Sequence, residues 1–225
     1  MKNINLDVKL QEFKKEAIII NKLEIPTAQF KELFKSSIIG DINICTKGEG
    51  WPTDNNSTLL VPVIQIRILD LPFIPKSVED VKYIAVFIYP EDGISYDDSS
   101  TLCIRVYKDE DLELLIKPKE INASPRLAKF SKIIDFPQRE DMPQEVEKYL
   151  DDLYPNIEQI PYQCEVSDKL FGWPAWCQVS ELSECDELII QLTDYDNKWI
   201  NGDCPTIYIF CNIKTGKFHG IMQMY

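Results

Sequence analysis

Ile190-Gln191-Leu192, followed by Ile207-Tyr208-Ile209-Phe210-Cys211, is the stretch on which the fold turns. Both runs are rich in β-branched and aromatic residues and are bounded by polar segments, the pattern of strands buried on two faces. Just downstream, Lys214-Thr215-Gly216-Lys217 reads as a tight turn into a last strand at 218–225. Upstream stands Trp173-Pro174. The same series occurs earlier in the chain, as Trp51-Pro52, Ile64-Gln65-Ile66 and Ile84-Ala85-Val86-Phe87-Ile88. Gaps of 14 and 22 residues, tryptophan to glutamine and glutamine to phenylalanine, compare with 18 and 19 in the second copy. Strands that agree while loops vary indicate an internal duplication, with halves at about 38–90 and 165–225 of a single domain spanning 1–225.

The remaining segments supply helices and less regular chain. Leu10, Phe13 and Ala17 give residues 7–16 an amphipathic helical spacing, and a strand follows at 17–25. Pro26-Thr27 opens a second helix with Phe30, Leu33 and Phe34 on one side. Residues 90–142 are the least regular part, with turn signals at Asp92-Gly93 and Asp97-Asp98 and strands at 101–107 and 112–116. Pro143 suits the first turn of a helix whose apolar face is Val146, Tyr149, Leu150 and Leu153, and Pro155 stops it. The expected architecture is α+β: two related antiparallel β-sheet units from the duplication, with N-terminal helices and a mid-chain helix packed on them.

With 225 residues, 44% of them hydrophobic and 11% aromatic, the chain is long and apolar enough for a sizeable core. Its net charge is −13, and residues 89–160 hold 17 acidic against 9 basic side chains. Phosphate polymers are repelled by such a surface, so nucleic acid is an unsuitable partner, whereas a basic protein is electrostatically favoured. Seven cysteines at irregular spacing fit reduced core thiols rather than a disulfide framework. No apolar run near the N-terminus is long enough to cross a bilayer, so a cytoplasmic protein without membrane association is expected.

At the tryptophan-proline turns and the glutamine strands the chain resembles the YwqG-like family of bacterial proteins of unknown function. Phe171-Gly172-Trp173-Pro174-Ala175-Trp176-Cys177-Gln178 is similar to that family's Gly-Gly-Tyr-Pro segment ending in Gln. Trp199-Ile200-Asn201-Gly202-Asp203, with Ile207-Tyr208-Ile209-Phe210, is similar to its Trp-Gly-Asp and strand block. Phe171 departs from the pattern where a first glycine is usual, as does Cys204-Pro205 where a glycine-containing turn is usual. The resemblance implies antiparallel sheets related by duplication and brings no established reaction. Relatives of this type look like proteins encoded near bacterial toxins.

Signatures of catalysis are weak. The closest cysteine pair is Cys204 and Cys211, unlike the paired Cys-x-x-Cys units of a structural zinc site. His219 is the single histidine and sits in the last strand, so any Ser/His or Cys/His mechanism must use it. No glycine-rich phosphate loop follows a strand, and no cofactor is expected. Trp51, Trp173, Trp176 and Trp199 flank turns, where scaffolds present binding residues; with Gln178 and Asp203 they form a candidate aromatic hot spot. Gln65 and Gln191, polar among aliphatics, must find internal partners or line a site. The expected function is a non-catalytic protein-binding module, an immunity protein that neutralises a basic toxin. The alternative is a small-ligand-binding protein or enzyme using a cleft between the repeats, lined by Gln65, Gln191, Trp199 and Asp203.

Overall fold

The computed structural model describes residues 11–24, 33–89, 102–122, 124–153, 164–181, 183, 185–193 and 205–224. Ten strands form one antiparallel sheet: β1 (Lys15–Glu24), β2 (Ile38–Ile39), β4 (Val61–Arg67), β5 (Tyr83–Ile88), β6 (Leu102–Tyr107), β8 (Arg126–Asp135), β9 (Lys169–Phe171), β10 (Asp186–Thr193), β11 (Pro205–Asn212) and β12 (Lys217–Met224). A separate two-stranded ribbon pairs β3 (Ile44–Cys45) with β7 (Glu113–Leu114). One α-helix lies wholly within the described residues, α1 (Gln144–Leu153), which starts directly after Pro143. Val146 and Leu150 are buried.

The spatial order is β12-β11-β10-β9-β1-β8-β2-β4-β5-β6. It is symmetrical about the central pair. Outward from β1 run a short strand and three long ones, β9 to β12, and outward from β8 run β2, β4, β5 and β6 in the same pattern. β1 and β8 pair along ten residues, from Lys15 opposite Asp135 to Glu24 opposite Arg126. Each also borders the short strand of the other half, β1 beside β9 and β8 beside β2. Two further details repeat. A register shift falls between Pro62 and Ile64 in one half and between Leu188 and Ile190 in the other, each ending one residue before the strand glutamine. Gly40 and Gly172, at φ +79° and +78°, each bend the chain just past a short strand. Only glycine takes that conformation without strain. Phe171 adopts φ +61°, so where the YwqG-like pattern has a glycine this chain keeps a left-handed backbone with a phenylalanine.

These features overturn the expected α+β arrangement. The chain is mostly β, and its halves share one sheet because the leading strands β1 and β8 cross over. Of the helix expected at 7–16, residues 11–12 are helical and β1 has already begun at Lys15, while residues 7–10 lie outside the described residues. Of the helix expected from residue 26, residues 33–36 form turns and residues 26–32 lie outside the described residues. β8, a full central strand, runs through the region expected to be least regular. One aliphatic core draws on both halves, including Ile18, Ile39, Ile64, Val86, Ile190 and Ile209. Each such side chain contributes about 1.5–3 kcal/mol by leaving water. The ends of the sheet curl towards one another: a Cβ on Gly220 of β12 would run into the side chain of Leu102 on β6. The result is a nearly closed, barrel-like sheet. No helix among the described residues is long and apolar enough to cross a membrane.

Candidate functional site

The two strand glutamines are buried and their amides are occupied by the chain itself. Gln65 Oε1 accepts from Asn43 N at 2.9 Å, and its Nε2 donates to Ser36 O at 2.7 Å and Asn43 Oδ1 at 3.0 Å. Gln191 Oε1 accepts from Ala175 N at 2.8 Å, and its Nε2 donates to Ser167 O at 3.2 Å. Asn43 and Ala175 each lie three residues past the left-handed glycine, so each glutamine ties a strand to the turn that leaves the neighbouring short strand. Losing either amide strands backbone groups that cost about 1–3 kcal/mol each when unsatisfied.

The tryptophans divide by role. Trp51 packs edge-on against Phe87 at 5.4 Å and donates Nε1 to Leu60 O at 2.8 Å. Its spatial counterpart is Trp176, stacked on Phe210 at 5.8 Å and close to Tyr208 at 4.8 Å. Phe87 and Phe210 each lie two residues beyond the partner of a strand glutamine. Trp173 takes a different place: its Nε1 donates to Phe13 O at 2.6 Å and the Lys15 ammonium sits over its ring at 3.6 Å. The two Trp-Pro dipeptides thus look alike in sequence and occupy unlike positions. Gln178 is exposed and donates to Met224 O at 2.9 Å. Trp199 and Asp203 lie outside the described residues. The six described candidates divide between the halves, Trp51 and Gln65 in the first and Trp173, Trp176, Gln178 and Gln191 in the second.

Sequence reasoning missed the strongest polar constellation. Asp135 at the end of β8 and Lys169 at the start of β9 form an ion pair at 2.8 Å, with both side chains fully buried. Asp135 Oδ2 also accepts from Trp173 N at 2.8 Å and Oδ1 from Glu165 N at 2.8 Å. Lys169 Nζ donates to Glu165 O at 2.5 Å and lies 3.7 Å from Cys164 Sγ. Carboxylate, ammonium and thiol side by side have the composition of a nucleophilic site. Their environment is wrong for it. Burial pushes the Cys164 thiol up to about 12, the nearby Lys169 ammonium offsetting only part of that rise. A thiol, not a thiolate, therefore sits there at neutral pH, and the thiol form is a poor nucleophile. At pH 8.5 iodoacetamide should label Cys164 on the order of a thousandfold more slowly in the native protein than in guanidinium, read by peptide mass spectrometry. Native labelling at the unfolded rate would contradict the shift. The stability this shift contributes is whole below pH 9.0 and is lost as pH climbs toward about 12, because the unfolded chain gives up the proton first.

His219 lies 3.4 Å from Asp186 and stacks on Phe210 at 5.5 Å. Among the described residues no group of three or more His, Cys, Asp or Glu side chains is placed to hold a metal ion.

The outer face of the first half is layered differently. Residues 41–60 and 107–116 cover the outward side of β5, where Tyr83, Ala85 and Phe87 pack with Ile44, Leu112 and Leu115. Glu49 organises this layer: its carboxylate lies 3.1 Å from Arg105 Nε and accepts from Tyr107 Oη at 3.0 Å. Burial, then the negative charge of Glu49, holds the Tyr107 hydroxyl well above its usual range. Outside the layer the surface is acidic and apolar at once. Asp109, Glu110, Asp111 and Glu113 are exposed, and beside them Leu114 is 62% and Ile116 84% exposed. No known family model matches the chain, and no curated protein is significantly similar to it, so the likeness to YwqG-like proteins rests on the quoted motifs.

Proposed function

We propose that this chain is a non-catalytic protein-binding module that engages a basic partner, acting as an immunity protein acts when it covers a bacterial toxin. One observation carries this reading: the buried glutamine, aspartate and lysine side chains among the described residues are occupied within the chain, while an excess of 13 negative charges remains for the exterior. Gln65, Gln191, Asp135 and Lys169 are all buried and hydrogen-bonded within the chain. A surface of this charge speeds encounter with a cationic protein and rejects anionic ones. The motifs shared with YwqG-like proteins support the same reading.

Affinity purification of the tagged protein from its own host at about 150 mM salt tests it, since exposed charge contacts beyond roughly 8 Å are already screened there. Recovery of one basic partner whose activity stops on binding is the expected result. Recovery of a partner that stays fully active in the complex counts against neutralisation, and recovery of none counts against a protein-binding role.

A further inference from the structure

We infer that the free edge of β7, with the acidic turn before it, is the docking site for an extended segment of a partner protein that alternates lysine or arginine with aliphatic residues. This rests on the proposed binding function and specifies the partner's contact chemistry. Three features of the ribbon converge on it.

The first is backbone. Leu115 N donates to Asn43 O at 3.1 Å, which makes Ile44 opposite Leu114 the non-hydrogen-bonded pair of the β3–β7 ladder. Leu114 N–H and C=O consequently point away from β3, and among the described residues no strand pairs with β7 on that side. An edge of this kind is where an added strand pairs. The second is apolar surface. Leu115 is buried and anchors the ribbon, so Leu114 and Ile116, two residues apart in extended chain, share the outward face. Exposed at 62% and 84%, they offer an aliphatic contact at the same edge.

The third is charge. Residues 109–116 carry four carboxylates and no cation, and none of the four is in an ion pair among the described residues. Two neighbouring lysines are engaged elsewhere, Lys108 with Asp80 and Lys117 with Asp41; Lys35 donates to Glu110 O at 2.6 Å and sets one positive charge against the four. A second copy of this chain at the same edge would set four carboxylates against four, so the charge selects against self-pairing and for a cationic strand.

The probe is a decapeptide alternating lysine and valine, titrated by fluorescence anisotropy against the full chain at about 150 mM salt. Binding is expected to weaken at least tenfold in a Leu114→Ser/Ile116→Ser variant, in an Asp109→Asn/Glu110→Gln/Asp111→Asn/Glu113→Gln variant, and for the same peptide N-methylated at alternate amides. All substituted residues are exposed, and an unchanged melting curve shows that each variant is folded. Absence of binding to the wild-type chain overturns the inference. So does binding that depends on the carboxylates but ignores the leucine, the isoleucine and the N-methyl groups, since that is charge attraction without a docked strand. A host partner captured equally by wild-type and ribbon variants would sink the ribbon and leave the binding function standing. Peptide binding with no inhibited host partner would sink toxin neutralisation and leave the ribbon.

Discussion

Replacing Lys169 by methionine is expected to lower the free energy of unfolding by about 3–5 kcal/mol, the usual consequence of leaving a buried carboxylate without its counterion. The effect is large because, among the described residues, Lys169 alone forms an ion pair with this carboxylate; Lys15, opposite Asp135 across β1, sits over the Trp173 ring instead. Asp135 is fully buried, and its two oxygens hold the Glu165 and Trp173 amides, which stabilise its negative charge but do not cancel it. Methionine fills most of the volume, so the loss is electrostatic rather than a cavity. For a chain of this size the melting temperature falls by about 2–4 °C per kcal/mol, giving a drop of roughly 6–20 °C. Urea unfolding reports the same change as a lower midpoint at unchanged slope. Adding Asp135→Asn should recover part of the loss: the amide oxygen still accepts a backbone hydrogen bond and the stranded charge is gone. A coupling of about 0.5–3 kcal/mol between the two sites is expected. Loss below 1 kcal/mol in the single variant would mean that Asp135 has found water or a proton, and the pair would then not be a structural clamp.

That clamp accounts for what the sequence disclosed and what it concealed. Strands carrying aliphatic and aromatic runs were legible: 17–25, 64–66, 84–88, 190–192 and 207–211 overlap β1, β4, β5, β10 and β11. In β4, β5, β10 and β11 most side chains are buried, and the pattern needs no knowledge of partners. β8 was not legible, although it is central, because Arg126, Lys129 and Lys132 interrupt its apolar positions and much of one face is solvent-exposed. β2 and β9 span only two and three residues, too few for periodicity to register. Without those three strands the halves looked like separate sheets. The glutamines were readable as buried amides in need of partners, since a lone amide inside an aliphatic run is carried into the core with its neighbours and cannot reach water.

Tryptophan equivalence was harder to read. Trp51 and Trp173 share a following proline, yet the tryptophan that meets the strand phenylalanine, as Trp51 meets Phe87 edge-on, is Trp176, which stacks on Phe210. The dipeptide advertises a turn, whereas the role is set by distance from the strand phenylalanine across the sheet. Lys169 carried no local signal at all: a lysine at a strand start ordinarily reads as a solvated end. Its partner lies 34 residues away, and only the pairing of β1 with both β8 and β9 brings the two together. The acidic ribbon stood between these extremes. Its charge is plain in the sequence, but the exposure of Leu114 and Ile116 depends on which residues of the segment β5 covers.

Gly172→Ala is expected to be nearly as damaging as loss of Lys169, for steric and conformational reasons that a second glycine separates. At φ +78° an alanine carries a backbone strain of about 1–3 kcal/mol. A Cβ there would also stand 2.8 Å from the Ala17 Cβ and overlap Asp135 Oδ2. Neither neighbour yields easily: Ala17 is in β1 opposite both Ile133 and Phe171, and Asp135 is pinned by the Lys169 ammonium and two amides. Overpacking of a fixed site adds about 1–3 kcal/mol, for a total of roughly 2–6 kcal/mol. Gly216 provides the comparison. Its φ is +68°, but nothing lies within 4 Å of the added carbon, so Gly216→Ala should show the conformational cost alone. The difference between the two variants in urea unfolding therefore measures how tightly β1, β8 and β9 close around the ion pair. Equal losses would show that the junction is loose enough to admit a methyl group, and the clamp would then rest on charge without close packing.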